Sequence, residues 1–248
     1  GLSGAYAARL FGDHGADVIL VEPESGHALR AEPGFVGDQS GAESSLLHAY
    51  GNWNKRSVRN PSAAVLAELV ATADIIVTTA VKPWDTALTL PLNDLPAHVV
   101  HVSITPHGLT GSLAQTKGNH LTHCARTGWS NLNRLQEEPP LQLPVRQSGY
   151  IAGVAGFVAA AAAYLRAVRD GVGELVDVSE MEVLASTSAP WAILGLFTGS
   201  PRLEFGPGGL RYRGVPGFLF ETRDGLMNYG FPEWAKWQQS MQLFGLDE

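Results

Sequence analysis

Apolar positions in the first third of the chain switch repeatedly between two periods. Over residues 5–14 they recur at helical spacing and stop at Gly15, a glycine suited to the left-handed position after a helix. Ser3 stands where an N-cap would open that helix. Ala16-Asp17-Val18-Ile19-Leu20-Val21 follows, a short β-branched run closed by Glu22-Pro23, and it reads as a buried strand. The alternation repeats with a helix over 61–72, Pro61 in its first turn, and strands over 73–78 and 99–104. Strands separated by helix-length segments pair in parallel through right-handed crossovers. The expected fold is therefore α/β, a Rossmann-like parallel sheet with flanking helices.

Between 105 and 148 the pattern loosens, and only a short helix over 121–126 stands out. Residues 151–168 form the clearest helix of the chain, built mostly of Ala and Gly, which suits close packing. A strand over 174–178 follows. Ser179 then caps a helix over 180–196, with Glu182 at the N3 position of a capping box and Pro190 bending or ending it. Beyond 198 the composition shifts to Gly, Pro and Arg. Two strands, 217–222 and 225–229, flank the turn at Arg223-Asp224, and a helix is expected over 232–244. The layout expected is a large domain over 1–198, a linker over 199–217 and the beginning of a smaller α+β domain over 218–248. A helix at the very start, with no strand before it, reads as part of something longer.

Composition narrows the function. Lys plus Arg number 17 against 24 for Asp plus Glu, a net charge of -7, so a broad nucleic-acid surface is not expected. Cys124 is the single cysteine, which excludes an intrachain disulfide and points to a reducing compartment, the cytosol. The longest apolar run, 150–165, falls short of the roughly 20 residues of a membrane span. The opening residues lack the basic segment of a secretory leader. No membrane association is expected.

Most candidate motifs have ordinary readings. Gly12 and Gly15 end a helix where a dinucleotide fingerprint would open one. His120 and His123 share a helix face without a third ligand nearby, so no metal is expected. Cys124 beside His123 reads as a buried structural thiol, because adjacent helical residues do not face each other. Asn52-Trp53-Asn54-Lys55-Arg56-Ser57 is more pointed. Lys55 and Arg56 sit just before a helix and could hold phosphates, although locally the segment also reads as a solvated loop. Arg30 lies in a loop beyond a strand, the place where open α/β sheets bind ligands.

Taken in order, these motifs resemble the family III CoA-transferases, the group of formyl-CoA and carnitine CoA-transferases and α-methylacyl-CoA racemase. GADVILVEPESGHALR is similar to the family's opening G-A-D-V-I-K-V-E followed by G-D-x-x-R. NWNKRSV, ADIIV and SITPHGLTG follow in family order. Gly171-Val172-Gly173-Glu174 with Val176-Asp177-Val178-Ser179, and later Thr222-Arg223-Asp224-Gly225, complete the resemblance. It implies CoA or an acyl-CoA as substrate, no metal, a CoA-binding large domain and an interlocked homodimer. By motif it places Arg30 near the adenine or phosphate end. Lys55, with Arg56, neutralises phosphates, and Lys117 makes a further CoA contact.

Two departures bear on activity. Family transferases carry acyl groups and CoA on an Asp in a G-D-x-x-x-G run, as an anhydride and then a thioester. Counting back from Gly171 puts Gly153 on the last glycine of that run and Gly149 on the Asp. No Asp or Glu occurs between Glu138 and Asp170. The family racemases' His after the glycine equivalent to Gly118 is Asn119 here, with His120 one residue later. Thr78-Thr79-Ala80 also replaces the family's E-N-F stretch. The implied function is a CoA-transferase family protein that binds CoA or acyl-CoA without the usual nucleophile. The alternatives are a non-catalytic acyl-CoA-binding subunit and the degenerate half of a tandem enzyme.

Overall fold

The computed structural model describes residues 1–79, 95–132, 139–187, 205–206, 209–210, 219–228, 237–243 and 245. The chain forms two compact units. One comprises Gly1–Thr127 with Leu143–Thr187, the other Gly128–Gln142 with Ser188–Glu248. The first unit thus closes at 187, against the expected domain edge at 198, and the second takes up residues 128–142.

The first unit is α/β. Helix α1 (Leu2–Asp13) leads through Gly15, whose φ of 93° is left-handed, into strand β1 (Val18–Glu22). Gly1 is the N-cap, so the cap expected at Ser3 is corrected. Ser3 lies inside the helix, and its hydroxyl donates to Glu180 Oε1 at 2.5 Å. Helix α2 (Leu46–Gly51) starts at Ser45, whose side chain accepts from the His48 amide. Lys55-Arg56-Ser57, read as a loop, instead opens strand β2 (Lys55–Arg59), which pairs in parallel with β1 from Val18↔Lys55 to Glu22↔Arg59. Helix α3 (Ala63–Thr72) is capped by the Ser62 side chain, which leaves Pro61 ahead of the helix.

A second parallel sheet has the order β3 (Ile75–Thr78), β4 (Val100–Thr105), β5 (Leu175–Ser179). Val77 pairs with Val102 and Val102 with Val176, so these three strands pair in parallel as expected from sequence. Helix α4 (His120–Arg126) begins with a capping box between Asn119 and Thr122. Helix α6 (Gln147–Asp170) runs 24 residues, longer at both ends than its apolar pattern. It precedes β5, and α7 (Glu180–Thr187) follows directly, its first turn capped by the Ser179 hydroxyl on the Glu182 amide. The expected continuation to 196, with Pro190, lies outside the described residues.

The core sits where α6 covers the β3-β4-β5 sheet. Val100, Val102, Ile104 and Val178 meet Ala152, Ala160, Ala163 and Ala167, with Ala7 of α1 alongside. These side chains are small enough that a Cβ on Gly156 would lie 2.6 Å from Ile104 Cδ1. The other side of α6 exposes Val154, Val158, Leu165 and Val168. Contrary to the sequence expectation, α6 is by length and composition apolar enough to cross a membrane. About a third of its most apolar window is buried against the sheet and α1.

In the second unit, α5 (Trp129–Leu132) follows Gly128. Strands β6 (Phe205–Gly206) and β7 (Gly209–Leu210) form a short antiparallel pair inside the stretch read as a linker. Strands β8 (Leu219–Thr222) and β9 (Gly225–Asn228) pair antiparallel about the expected turn, and α8 (Trp237–Leu243) closes the described chain.

Candidate functional site

The C-terminal ends of β1 and β2 open onto a cavity of about 140 Å³. Glu22, Gly26, Arg30, Glu43, Ser57 and Arg59 line it. Glu22 is the last residue of β1 and is buried. Arg30 grips its carboxylate with two bonds, Nε to Oε2 at 2.7 Å and Nη2 to Oε1 at 2.9 Å. The His27 amide donates to Oε2 at 2.7 Å, and the Ser57 hydroxyl donates to Oε1. These donors, Arg30 foremost, outweigh burial and hold Glu22 down at about 2. The same pairing raises Arg30, whose Nη1 also donates to Ala42 O at 3.0 Å and to Glu43 at 2.8 Å. Arg59, at the end of β2, donates through Nε and Nη2 to Glu24 O. The cavity is lined by two arginines and a buried carboxylate beyond two parallel strands, a usual ligand position for such sheets.

The four cations singled out from the sequence therefore differ in state. Arg30 lines the cavity but is committed to Glu22 through Nε and Nη2 and to Ala42 O and Glu43 through Nη1. Lys55 turns inward: its Nζ donates to Ala5 O at 2.6 Å, Asn52 Oδ1 at 2.8 Å and Gly51 O at 3.2 Å. Burial, with the nearby Arg9 charge, lowers Lys55 to about 7. Arg56 faces away, paired with Asp17 on the exposed surface, where such pairs contribute about 0–1 kcal/mol. Lys117 is exposed and makes no ion pair among the described residues. The structure does not bring these four side chains to one point.

Around Gly149 lies a second cluster. Val145 and Arg146 hold left-handed backbone, with φ of 49° and 58°, and turn the chain sharply into α6. Gly149 sits in the first turn of that helix and is buried. A Cβ there would stand 3.1 Å from Leu2 Cδ2, so α1 occupies the space beside it. One residue earlier, Ser148 Oγ lies 2.9 Å from His120 Nδ1, and His120 Nε2 lies 2.6 Å from Leu143 O. Cys124, one turn along α4, is fully buried with Sγ 3.7 Å from both ring nitrogens of His120.

Two further groupings escaped the sequence reading. Tyr6, Tyr50 and Tyr150 pack together, Tyr150 edge-on to both others, with the Arg9 guanidinium 4.2 Å over the Tyr50 ring. His107 and His123 meet edge to face at 5.5 Å, and none of their ring nitrogens makes a hydrogen bond among the described residues. His123 Nδ1 is 3.4 Å from Glu180 Oε2, yet burial first, and the neighbouring histidines next, lower His123 to about 4. No group of three metal-ligating side chains occurs among the described residues. Of these contacts only His120 with Cys124, at helical i,i+4 spacing, carried a sequence signal; the others join positions far apart in the chain.

Comparison with known proteins agrees with the fold. The family description that matches is CoA-transferase family III, over residues 1–248. The chain is 33% identical over 196 residues to the succinyl-CoA:(R)-benzylsuccinate CoA-transferase subunit BbsE of Thauera aromatica, covering 75% of this chain and 48% of that one. It is 28% identical over 216 residues to a succinate–glutarate CoA-transferase of Agrobacterium fabrum, covering 83% and 54%. The chain thus spans about half the length of these relatives. Among solved structures, a CaiB/BaiF family protein from Brucella suis superposes with a TM-score of 0.78 at 21% identity, covering 99% of this chain and 67% of that one.

Proposed function

The chain belongs to CoA-transferase family III, and from that premise we propose that it binds a CoA thioester and works beside a second chain or domain that supplies the acyl-carrying carboxylate. Gly149 carries this reading. Exchange of acyl and thiol partners needs a side-chain carboxylate that can become an anhydride and then a thioester. At the matching position the first turn of α6 has no side chain, and Leu2 fills the adjoining space. The subunit status of BbsE, as its name states it, supports a division of labour of this kind.

Phosphate recognition in this reading falls to the cations with donors to spare. Among the described residues Arg59 is bonded through Nε and Nη2 only, and Lys117 is exposed, whereas Lys55 is committed inside the unit and Arg56 to Asp17. The acyl group is that of a dicarboxylic acid, the class to which succinate, glutarate and benzylsuccinate in the relatives' names belong. The protein is read as cytosolic and dimeric, with the partner bearing the Asp. The buried free thiol of Cys124 fits a reducing setting.

Calorimetric titration with CoA tests the binding step. Binding should weaken as salt rises, and Arg59→Ala should lower affinity by about 1–2 kcal/mol, the scale of a charge-assisted contact. No heat at millimolar CoA overturns the reading. A transfer assay with succinyl-CoA and glutarate tests the second step. The chain alone should form no glutaryl-CoA, and its formation would return the nucleophile to this chain.

A further inference from the structure

We infer that the outer face of α6 is where a second copy of this chain docks, helix against helix and antiparallel. Along α6, Val154, Val158, Ala161, Leu165 and Val168 recur at steps of four and three, and Val172, just past the capping Gly171, continues them. Steps of four and three are the seam of a left-handed helix pair. On an ordinary surface helix the apolar stripe faces the core. Here the seam faces out: Val154 is 45% exposed, Val158 58%, Leu165 70%, Val168 66% and Val172 56%. The core uses a different set, Ala152, Ala160, Ala163 and Ala167 over the sheet. Tyr150 and Phe157 turn towards Tyr6 and Phe11 of α1. Large apolar side chains exposed in one row mark a contact surface.

The row is complementary to itself. Under a two-fold rotation centred near residue 163, Val154 meets the partner's Val172, Val158 the partner's Val168, and Ala161 the partner's Leu165. The smallest side chain of the row then stands opposite the largest, as interdigitating layers require. Paired over 154–172, about 28 Å of helix, two such faces and their alanine flanks bury on the order of 1,200 Å², where specific interfaces begin. That size makes the association reversible and dependent on concentration. The partner copy also carries Gly149, so this contact brings no carboxylate and leaves the carboxylate-bearing partner to a different surface.

Charge sets the direction. Residues 150–165 hold no charged side chain, whereas Arg166 and Arg169 flank the C-terminal end of the row. A parallel pair would set each arginine beside its own copy, like charge on like. Antiparallel, both lie along the uncharged stretch 153–160 of the partner, and the two helix dipoles oppose each other favourably. A lipid surface suits the face less well. Helices that lie on membranes bring free Lys or Arg to the headgroups. Here Arg166 is paired with Glu174 and Arg169 with Asp170, and the chain's net charge is -7.

Sedimentation equilibrium of the full chain over about a hundredfold range of concentration reads the association. The mass should rise from 26.4 kDa towards twice that value. Leu165→Glu, at an exposed position outside the core, should hold the mass at 26.4 kDa with an unchanged far-ultraviolet circular dichroism spectrum. Leu121→Glu, 56% exposed on α4, should associate like the original chain. Cysteines read the register. Val158→Cys and Val168→Cys chains, mixed and oxidised, should cross-link to each other. Val158→Cys alone should not, because its two thiols stand about 15 Å apart along an antiparallel pair. Cross-linking of Val158→Cys to itself overturns the antiparallel arrangement. A mass of 26.4 kDa at every concentration, or Leu165→Glu associating like the original chain, overturns the docking face. So does attachment to phosphatidylcholine–phosphatidylglycerol vesicles that depends on Leu165 in a chain that stays monomeric, which assigns the face to lipid.

Discussion

Leu2 lies against Gly149, its Cδ2 3.1 Å and its Cβ 3.3 Å from the point where a side chain on that glycine would begin. One turn further along α6, a Cβ on Gly153 would meet the Ser3 carbonyl oxygen at 2.8 Å. The first obstacle is a side chain that can rotate; the second is backbone.

Gly149→Ala and Gly153→Ala should therefore differ in sign or size. Alanine gains about 1 kcal/mol over glycine inside a helix. At 149 that gain offsets the displacement of Leu2, and the melting temperature should stay close to the original. At 153 the backbone clash dominates, with a loss of about 1–3 kcal/mol. Equal melting temperatures for Gly153→Ala and the original chain would show that α1 and α6 are not in this contact.

Glu22 should make the first unit acid-sensitive. Its folded value, about 2, lies below its ordinary 4.5, so the folded state holds fewer protons between these limits. The stabilisation is complete above about pH 4.5 and is lost as pH falls through about 2. Urea midpoints of Glu22→Gln should accordingly vary less with pH over this window than those of the original chain. Arg30→Ala leaves a buried carboxylate unpaired and should cost about 3–5 kcal/mol. Arg30→Lys should recover little, because an ammonium cannot make the two-pronged contact.

Lys55 should matter to folding more than to CoA. All three of its donors are used inside the unit, on Ala5, Gly51 and Asn52. Lys55→Met should lower stability by about 1–3 kcal/mol through the acceptors left unpaired, with CoA affinity unchanged. A loss of CoA binding at constant stability would put its ammonium on a phosphate. Its lowered value, about 7 against 10.5, means that the unfolded chain holds the extra proton in this range, so stability should rise with pH from 7 to 10.5. That slope should be missing in Lys55→Met.

His123 works in a lower window. Its folded value of about 4 lies below the ordinary 6.5, so as pH falls from 6.5 towards 4 protons bind the unfolded chain first and stability declines. His123→Gln should flatten that decline in a series of thermal melts. An unchanged slope would assign it to another group.

Strands β1, β3, β4 and β5 were legible because each is a short β-branched run between helix-length segments. Strand β2 was not. Its residues Lys55-Arg56-Ser57-Val58-Arg59 are mostly exposed or charged, and only pairing with β1 makes them a strand. Helix α6 was legible from the apolar Ala- and Gly-rich run over 151–168, which rests on spacing within one segment. Arg30 and Lys55 were recognised as notable cations, but their partners were not. Glu22 and Ala5 meet them through the tertiary fold, and ion pairs and inward-turned ammonium groups leave no periodic trace. The same holds for Ser148 and His120, 28 residues apart, and for Ser3 and Glu180, 177 apart.

The close seat of α6 also governs how this sequence can drift. Gly153, Gly156, Ala160, Ala163 and Ala167 face α1 and the sheet, where a single added carbon at Gly156 already meets Ile104. Those positions form a track on which mutation can choose little beyond glycine and alanine. Val154, Val158, Leu165 and Val168, on the outer side, meet no such limit among the described residues. One helix thus carries a side fixed by its own fold and a side free to follow what docks on it, and substitutions accumulating among its descendants should sort by side-chain volume along that division.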